Sequence, residues 1–567
     1  MSKPENRPDW TVLRPSVVSI YGRFVREEYW LLAGVMLVVL ASAGLAVITP
    51  YFFSRLVDDL VGTNLPAAIA WGFVFYAVMR GLLTATAYSV NYLSIIAAEN
   101  LNFITATSFF ERLLGKPGSF FIDNNPVQIQ TARQEGQNAL YGLVQMAIHT
   151  FLPGGLQIGL AMALMGAVIN IEIALIVLVY GSFFISLTYL ANRWTRPLLD
   201  RAIEAYQDNA RFVGNAVNAM ETLRYFNGDR WISEKFSEKA GLARKSWVGW
   251  SRRRLLLTAI FGTALGLQLA LTFLILLPRF EAGEVTVGDI VLINLLLVQL
   301  NQPFEMIGMA IDEVMRAMAR LMPFARIWQA PEDRGQHGDR PVRIERARIA
   351  FENVGFRYGD RETVRDVSFV AEPGRLTFLV GPTGSGKTTL FKLALKSLEP
   401  SSGRILINDM DLRDLKRSGW YDAVGVVPQD VMLLNDSLAT NIVLGRPYDA
   451  ERMRRAAERA SILAFVDGLP DGFETTVGER GLKLSGGERQ RISIARALYA
   501  DPKVLFLDEA SSALDETTEG QIMAELRRIA GEVTVIAITH RRGVIAAEDQ
   551  VVILKGSGDD QELEERA

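Results

Sequence analysis

Gly381-Pro-Thr-Gly-Ser-Gly-Lys387-Thr388 decides what the second half of this chain is. The spacing G-x-x-x-x-G-K-[ST] suits a loop that wraps phosphate oxygens. It stands between an apolar run, Leu376-Thr-Phe-Leu-Val380, and a helix-favouring run, Thr389-Leu-Phe-Lys-Leu-Ala-Leu395. Glycines let backbone N–H groups close on an anion at a helix N-terminus, where the helix dipole favours negative charge. Pro382, Thr383, Gly384, Ser385 and Gly386 make the loop. Lys387 is placed to reach the β- and γ-phosphates, the Thr388 hydroxyl to hold Mg²⁺, and Thr389 to open the helix.

Two later runs fit the same chemistry. Val504-Leu-Phe-Leu-Asp508-Glu509 reads as an apolar strand ending in two carboxylates. One is needed for Mg²⁺ and the other to polarise an attacking water, so Asp508 takes the first role and Glu509 the second. His540 ends the strand Val533-Thr-Val-Ile-Ala-Ile-Thr539, within hydrogen-bonding reach of a terminal phosphate.

A chain of 567 residues is too long for one domain. Its net charge of −3 makes no case for a nucleic-acid partner, and the absence of cysteine excludes disulfides, thiolate metal sites and thiol nucleophiles. Residues Met1 to Glu28 are polar and mixed in charge, without the short apolar core of a signal peptide. Hydrophobicity is concentrated before Ile311. Tyr29–Pro50, Pro66–Ala97, Ala139–Ile169, Ile171–Leu190, Leu255–Leu277 and Val287–Ile311 are each long and apolar enough to span a bilayer. Lys and Arg crowd the N-terminal segment and the long connection from Arg193 to Arg254, which places the N-terminus, the long connections and the second half in the cytoplasm.

The connections Ala98–Asn138 and Ala191–Arg254 are helix-favouring and read as spans running on beyond the membrane. Each turns once, near Lys116-Pro-Gly118 to Pro126 and near Glu221–Gly228, and these tips are expected to act as coupling hairpins for the soluble domain. In the sixth span Asn294, Asn301, Glu305 and Asp312 fall on one helical face. Polar groups in a span usually face an aqueous path, so this stripe is expected to wall a cargo cavity; Gln299 and Gln302 lie off it, and Arg80 and His149 are weaker candidates. A Pro/Gly-rich linker over 329–342 separates a membrane domain (1–328) from a soluble domain (343–567).

Leu484-Ser-Gly-Gly-Glu488, followed by Arg489-Gln-Arg491, resembles the signature of the ATP-binding-cassette family. The remaining motifs stand in that family's order. Tyr358 resembles the aromatic that stacks on adenine, Gln429 the glutamine that senses Mg²⁺, Thr476–Gly481 the exporter segment before the signature, and Ser511-Ser-Ala-Leu-Asp515 the loop that crosses the dimer interface. The resemblance implies a membrane all-α six-helix exporter domain with long cytoplasmic extensions, followed by an α/β P-loop nucleotide-binding domain. It further implies an ATPase using ATP and Mg²⁺, and a homodimer in which each ATP lies between Lys387 of one subunit and Ser485, Gly486, Gly487 and Glu488 of the other, with Asp515 nearby.

Met220–Asn227 and Val298–Gly308 resemble the mitochondrial-type iron–sulfur and heavy-metal exporters, and bacterial exporters of microcins and lasso peptides share the short architecture. An acidic wall at Glu305 and Asp312 suits a cationic or polar uncharged cargo better than an anionic tripeptide. The sequence therefore leads us to expect a small peptide or amphipathic cargo exported across a bacterial inner membrane. Glutathione-linked or metal-related compounds are the alternative, with lipid or drug export a third. No peptidase domain precedes the spans, and Lys555–Asp560 departs from the usual family tail.

Overall fold

In the computed structural model, residues 9–62, 66–168, 171–332, 340–342, 344–359, 361–478, 481, 484–510, 516–554 and 565–566 are described. Contacts divide the chain into two units. The first comprises Met1–Leu114 and Asn124–Ala330, the second Gly115–Asp123 and Pro331–Ala567.

The first unit is helical. Helix α1 (Trp10–Glu27) is capped by Asp9, whose side chain accepts from Thr11 N. It is followed by α2 (Tyr29–Gly62), α3 (Pro66–Leu114), the short α4 (Gly118–Asp123, counted with the second unit), α5 (Pro126–Met146), a π-helical turn (Ala147–Phe151) and α6 (Leu152–Val168). Then come α7 (Ile171–Asn218), the short α8 (Met220–Tyr225), α9 (Asp229–Glu281) and α10 (Val287–Gln329). Six of these helical stretches are long and apolar enough to cross a membrane. With 49 residues, α3 extends about 74 Å, more than twice the hydrocarbon thickness, so a span and its extension form one rod. Asn125 caps α5 just before Pro126, and Asn227 at φ +53° with Gly228 turns the chain between α8 and α9. At that second tip Tyr225 and Phe226 are 80% and 82% exposed.

Close packing explains several glycines. A Cβ at Gly136 would lie 2.4 Å from the Phe324 ring, and one at Gly181 would lie 2.4 Å from Phe304, so α5 and α7 approach α10 only without a side chain there. Phe324 stacks between Phe109 and Trp328, with centroids 4.8 and 5.7 Å away, and the Arg112 guanidinium covers the Trp328 ring. At the opposite end of α10, Asp58 of α2 accepts from Gly288 N (2.7 Å) and Thr286 Oγ1 (2.8 Å). A carboxylate on a helix N-terminus meets both free N–H groups and the positive end of the dipole.

The second unit pairs two sheets. An antiparallel sheet runs β2 (Arg361–Ala371), β1 (Ile349–Tyr358), β4 (Ser402–Ile407), β5 (Met410–Asp411). The central sheet has the order β10-β9-β3-β8-β7-β6, where β3 is Leu376–Val380, β6 Val424–Val427, β7 Val504–Asp508, β8 Thr534–Ile538, β9 Gln550–Ile553 and β10 Glu565–Arg566. Strands β9, β3, β8, β7 and β6 are parallel, and β8 is buried throughout, as expected of a sheet covered on both faces. Helix α11 (Lys387–Ala394) follows β3, and α12 (Arg417–Ala423) precedes β6. The short α13 (Leu438–Val443), α14 (Ala450–Arg459) and α15 (Leu463–Asp467) form an insert. After it come α16 (Gly486–Tyr499) and α17 (Glu516–Ala530).

Candidate functional site

Parallel strands put their carboxyl ends on one edge, and the chemistry-bearing residues follow those ends. Lys387 follows β3, Gln429 follows β6, Glu509 follows β7 and His540 follows β8. At this edge Gln429 Nε2 donates to Glu509 Oε2 (3.0 Å), and His540 Nε2 lies 3.1 Å from Glu509 Oε1. Glu509 itself sits at φ +49°, a conformation side chains seldom adopt. Its N–H donates to Ile538 O (3.1 Å), and Gln490 Nε2 donates to its carbonyl (3.0 Å). Both of its carboxylate oxygens and both of its backbone groups are thus held. Gln490, two residues beyond the signature, received no role from the sequence; the carbonyl left over at a left-handed turn is what it serves.

The loop fits a phosphate. Gly384 and Gly386 adopt φ +87° and +91°, and a Cβ at Gly386 would lie 2.7 Å from Thr363 O. The buried Lys387 donates through Nζ to Gly381 O (2.8 Å) and Pro382 O (3.0 Å), and the buried Ser385 Oγ has no protein partner. Burial draws the Lys387 ammonium below its ordinary pKa, against the opposing pull of Glu509 and Asp508. Burial also raises the Asp508 carboxyl, and the neighbouring Glu509 raises it further. An anionic, multiply accepting ligand relieves the costs at Lys387 and Ser385, and a cation held at Asp508 would relieve the cost there. Thr388, Gln429 and Asp508 are the residues that would hold Mg²⁺.

The signature lies at the start of α16. Ser485 accepts through Oγ from Glu488 N (3.2 Å), and Glu488 Oε2 accepts from Ser485 N (2.7 Å), a reciprocal cap that fixes the exposed serine. Tyr358 ends β1 with its ring edge-on to Phe356, 4.8 Å away. Residues 511–515, the whole of the loop that ends in Asp515, lie outside the described residues, as do residues 479–480 of the segment before the signature.

Among the spans, a cavity of about 860 Å³ is lined by Arg80, His149, Gln157, Asn294, Gln299 and Gln302 together with smaller and apolar side chains. This corrects the expected acidic wall. Asn294 lines the cavity, but Asn301 and Glu305 do not. Asn301 accepts from Tyr180 OH of α7 (2.9 Å), Glu305 is exposed elsewhere on the helix, and the Asp312 side chain lies outside the described residues. The cavity takes residues 294, 298, 302 and 306 with 295, 299 and 303, a face about 90° around α10 from the stripe. Among the described lining residues no carboxylate is found. Arg80 and His149 are the side chains there able to carry positive charge.

A P-loop cassette and six membrane-spanning helices define an ATP-driven membrane transporter. Residues 364–512 match the family model described as ABC transporter, and residues 31–304 the ABC transporter transmembrane region. The chain belongs to the ABC transporters, as a half-transporter of the exporter type, and is an ATPase acting with ATP and Mg²⁺. It is 29% identical to the Iron-sulfur clusters transporter ATM1, mitochondrial, of Yarrowia lipolytica, over 98% of this chain and 80% of that one. It is 30% identical to ATP-binding cassette sub-family B member 6 of Homo sapiens, over 92% of this chain and 64% of that one. The Heavy metal tolerance protein of Schizosaccharomyces pombe is 29% identical, with 85% of this chain and 58% of that one aligned. The chain thus spans less than two thirds of the last two relatives. Among solved structures, a bacterial Atm1-family ABC exporter with ATP bound superposes with a TM-score of 0.80 at 26% identity, covering 94% of both chains. Peptide export finds no support among these relatives, and the metal-related alternative agrees with their names. The fold is that of a multi-pass membrane protein. Because these relatives include mitochondrial forms, a bacterial inner membrane is not part of that conclusion.

Proposed function

We propose that this half-transporter works as a homodimer and exports an anionic, glutathione-linked or metal-related compound. The observation that carries the cargo class is the cavity lining: Arg80 and His149 with several amides, and no carboxylate among its described residues. A positively biased, weakly screened cavity attracts anions and rejects cations. The names of the relatives point the same way.

In the cassette, Glu509 Oε is placed to take a proton from the attacking water, with His540 and Gln429 fixing its orientation. Lys387 neutralises phosphate charge, Mg²⁺ supplies Lewis-acid stabilisation when bound, and Ser485 and Gly487 of a second copy complete the site. The test is uptake into inside-out vesicles with ATPase stimulation, comparing oxidised glutathione, its metal–thiolate complexes and a cationic peptide. The anionic compounds should stimulate, and Arg80→Gln should weaken them about 5–50-fold, the size of a partly desolvated charge contact. Stimulation by the cationic peptide alone would refute the proposal.

A further inference from the structure

The backbone of Glu509 is held from the signature helix as well as from the sheet. Strands β7 and β8 pair from Val504 opposite Thr534 to Asp508 opposite Ile538, and the Glu509 N–H adds a last bond to Ile538 O (3.1 Å). Glu509 then turns to φ +49°, and its carbonyl leaves the ladder. Inside the cassette that carbonyl needs another donor. Gln490 supplies it: Nε2 donates to Glu509 O at 3.0 Å, and Gln490 is 2% exposed.

Four groups thus fix Glu509, and three of them sit at strand ends: Gln429 beyond β6, Ile538 in β8 and His540 beyond it. Gln490 comes instead from α16, about 7.5 Å along the axis from the capping Ser485. That helix is firmly seated. The Ser485–Glu488 box locks its first turn, and Arg496 donates to Asn441 O (2.7 Å) and Met432 O (3.2 Å). A Cβ at Gly425 of β6 would lie 3.0 Å from Ala497 O, so sheet and helix backbone are in close approach. Burying an amide is costly unless it is bonded, so a glutamine on the buried face with Ile494 and Leu498 serves for its hydrogen bonds.

We propose that Gln490 is a positioning residue for hydrolysis: it holds the Glu509 peptide, so each signature helix serves its own copy's Glu509 as well as the second copy's ATP. Without this donor, the peptide at a left-handed residue rotates toward ordinary backbone angles and carries the carboxylate off the attacking water. A displacement of about 1 Å in such a group costs up to about 10²-fold in rate. The assignment rests on the homodimer proposed above, where the signature and the Glu509 of one copy belong to different ATP sites.

The experiment uses the full-length transporter in nanodiscs, with a different affinity tag on each copy so that mixed dimers are purified through both. Gln490→Met keeps length and burial and removes the donor. In the homodimer it should lower kcat about 10–50-fold and change KM for Mg-ATP less than about twofold. The rate of the first phosphate released is then read in mixed dimers bearing Glu509→Gln in one copy, where hydrolysis comes from the other copy's Glu509. Gln490→Met added to the copy that already bears Glu509→Gln should change this rate less than about twofold. Added to the other copy, it should slow the rate about 10–50-fold. Ser485→Ala should show the reverse placement, slowing the rate when it shares a copy with Glu509→Gln.

An unchanged kcat in the Gln490→Met homodimer would overturn the assignment. So would slowing confined to the copy that bears Glu509→Gln, which would make Gln490 a support of the signature alone. Equal slowing from both placements would make it a general support of the cassette, and overturns the assignment too. Failure of the homodimer reading looks different: Ser485→Ala would then slow the rate from the copy whose Glu509 is intact, as Gln490→Met does.

Discussion

Replacing Glu509 by Gln tests the hydrolytic assignment most directly. Each carboxylate oxygen of Glu509 meets a nitrogen, Gln429 Nε2 at 3.0 Å and His540 Nε2 at 3.1 Å. An amide offers one oxygen and one NH₂, so its oxygen accepts from Gln429 while its NH₂ turns to His540, and the site keeps its shape but loses its negative charge. Loss of the proton acceptor removes a factor of about 10²–10⁴, so turnover should fall at least 10²-fold, equivalent to roughly 3 kcal/mol or more in the barrier. ATP affinity should hold or tighten, because a negative charge beside the triphosphate is gone. The assay is phosphate release at saturating Mg-ATP alongside equilibrium nucleotide binding. His540→Ala should cost less than Glu509→Gln, and the double variant should be far from additive because the two act as one unit. Retention of more than about a tenth of wild-type turnover in Glu509→Gln, or additivity of the pair, would refute the assignment.

Asp508 gives a pH test. In the metal- and nucleotide-free protein its pKa is raised by burial and then by Glu509. Between the unfolded value and this raised one the native state binds more protons than the unfolded state, so stability falls as pH rises through that window. Asp508→Asn should therefore raise the cargo- and nucleotide-free thermal midpoint at neutral pH while abolishing hydrolysis; a lowered midpoint would contradict the burial argument. Gly136→Val should destabilise the first unit by about 1–3 kcal/mol, seen as a lower melting point in detergent, because Phe324 already occupies the space a side chain needs. Asp58→Ala, which deletes the bonds to Gly288 N and Thr286 Oγ1, should increase amide exchange at the start of α10, whereas Asp58→Asn should do so less. Replacing Tyr225 and Phe226 together with Ala should leave folding intact, since both are exposed, and lower transport per ATP; unchanged coupling would make this tip a solvated turn.

Much of this molecule was legible in its sequence. The six spans follow from apolar length alone, and the cassette residues follow from motifs whose spacing reflects backbone geometry around phosphate. The cargo cavity was harder to read. A helical wheel on the sixth span groups Asn294, Asn301 and Glu305 by polarity, but polarity does not say which neighbour each one meets. Asn301 was taken by Tyr180, 121 residues earlier in sequence. Gln299 and Gln302, set aside as off the stripe, turned out to line the cavity. The π-turn that presents His149 has no sequence signal we recognise.

The aromatic column of Phe109, Phe324 and Trp328 has a consequence for cargo discrimination. Helix α10 runs from Val287 to Gln329 with Pro303 and Pro323 inside it, so the cavity residue Asn294 and the column residue Trp328 sit about 51 Å apart along one helix. A tilt of about 5° where the column grips the helix moves the far end by about 4 Å, more than the length of a hydrogen bond. The angular tolerance of three stacked rings thus sets a limit on how sharply amides near the other end can tell one cargo from another. Substitutions at Phe109 or Trp328, remote from any cargo, should blur selectivity before they impair folding. Rigidity in this transporter is then a form of chemical resolution, set at one end of a lever and used near the other.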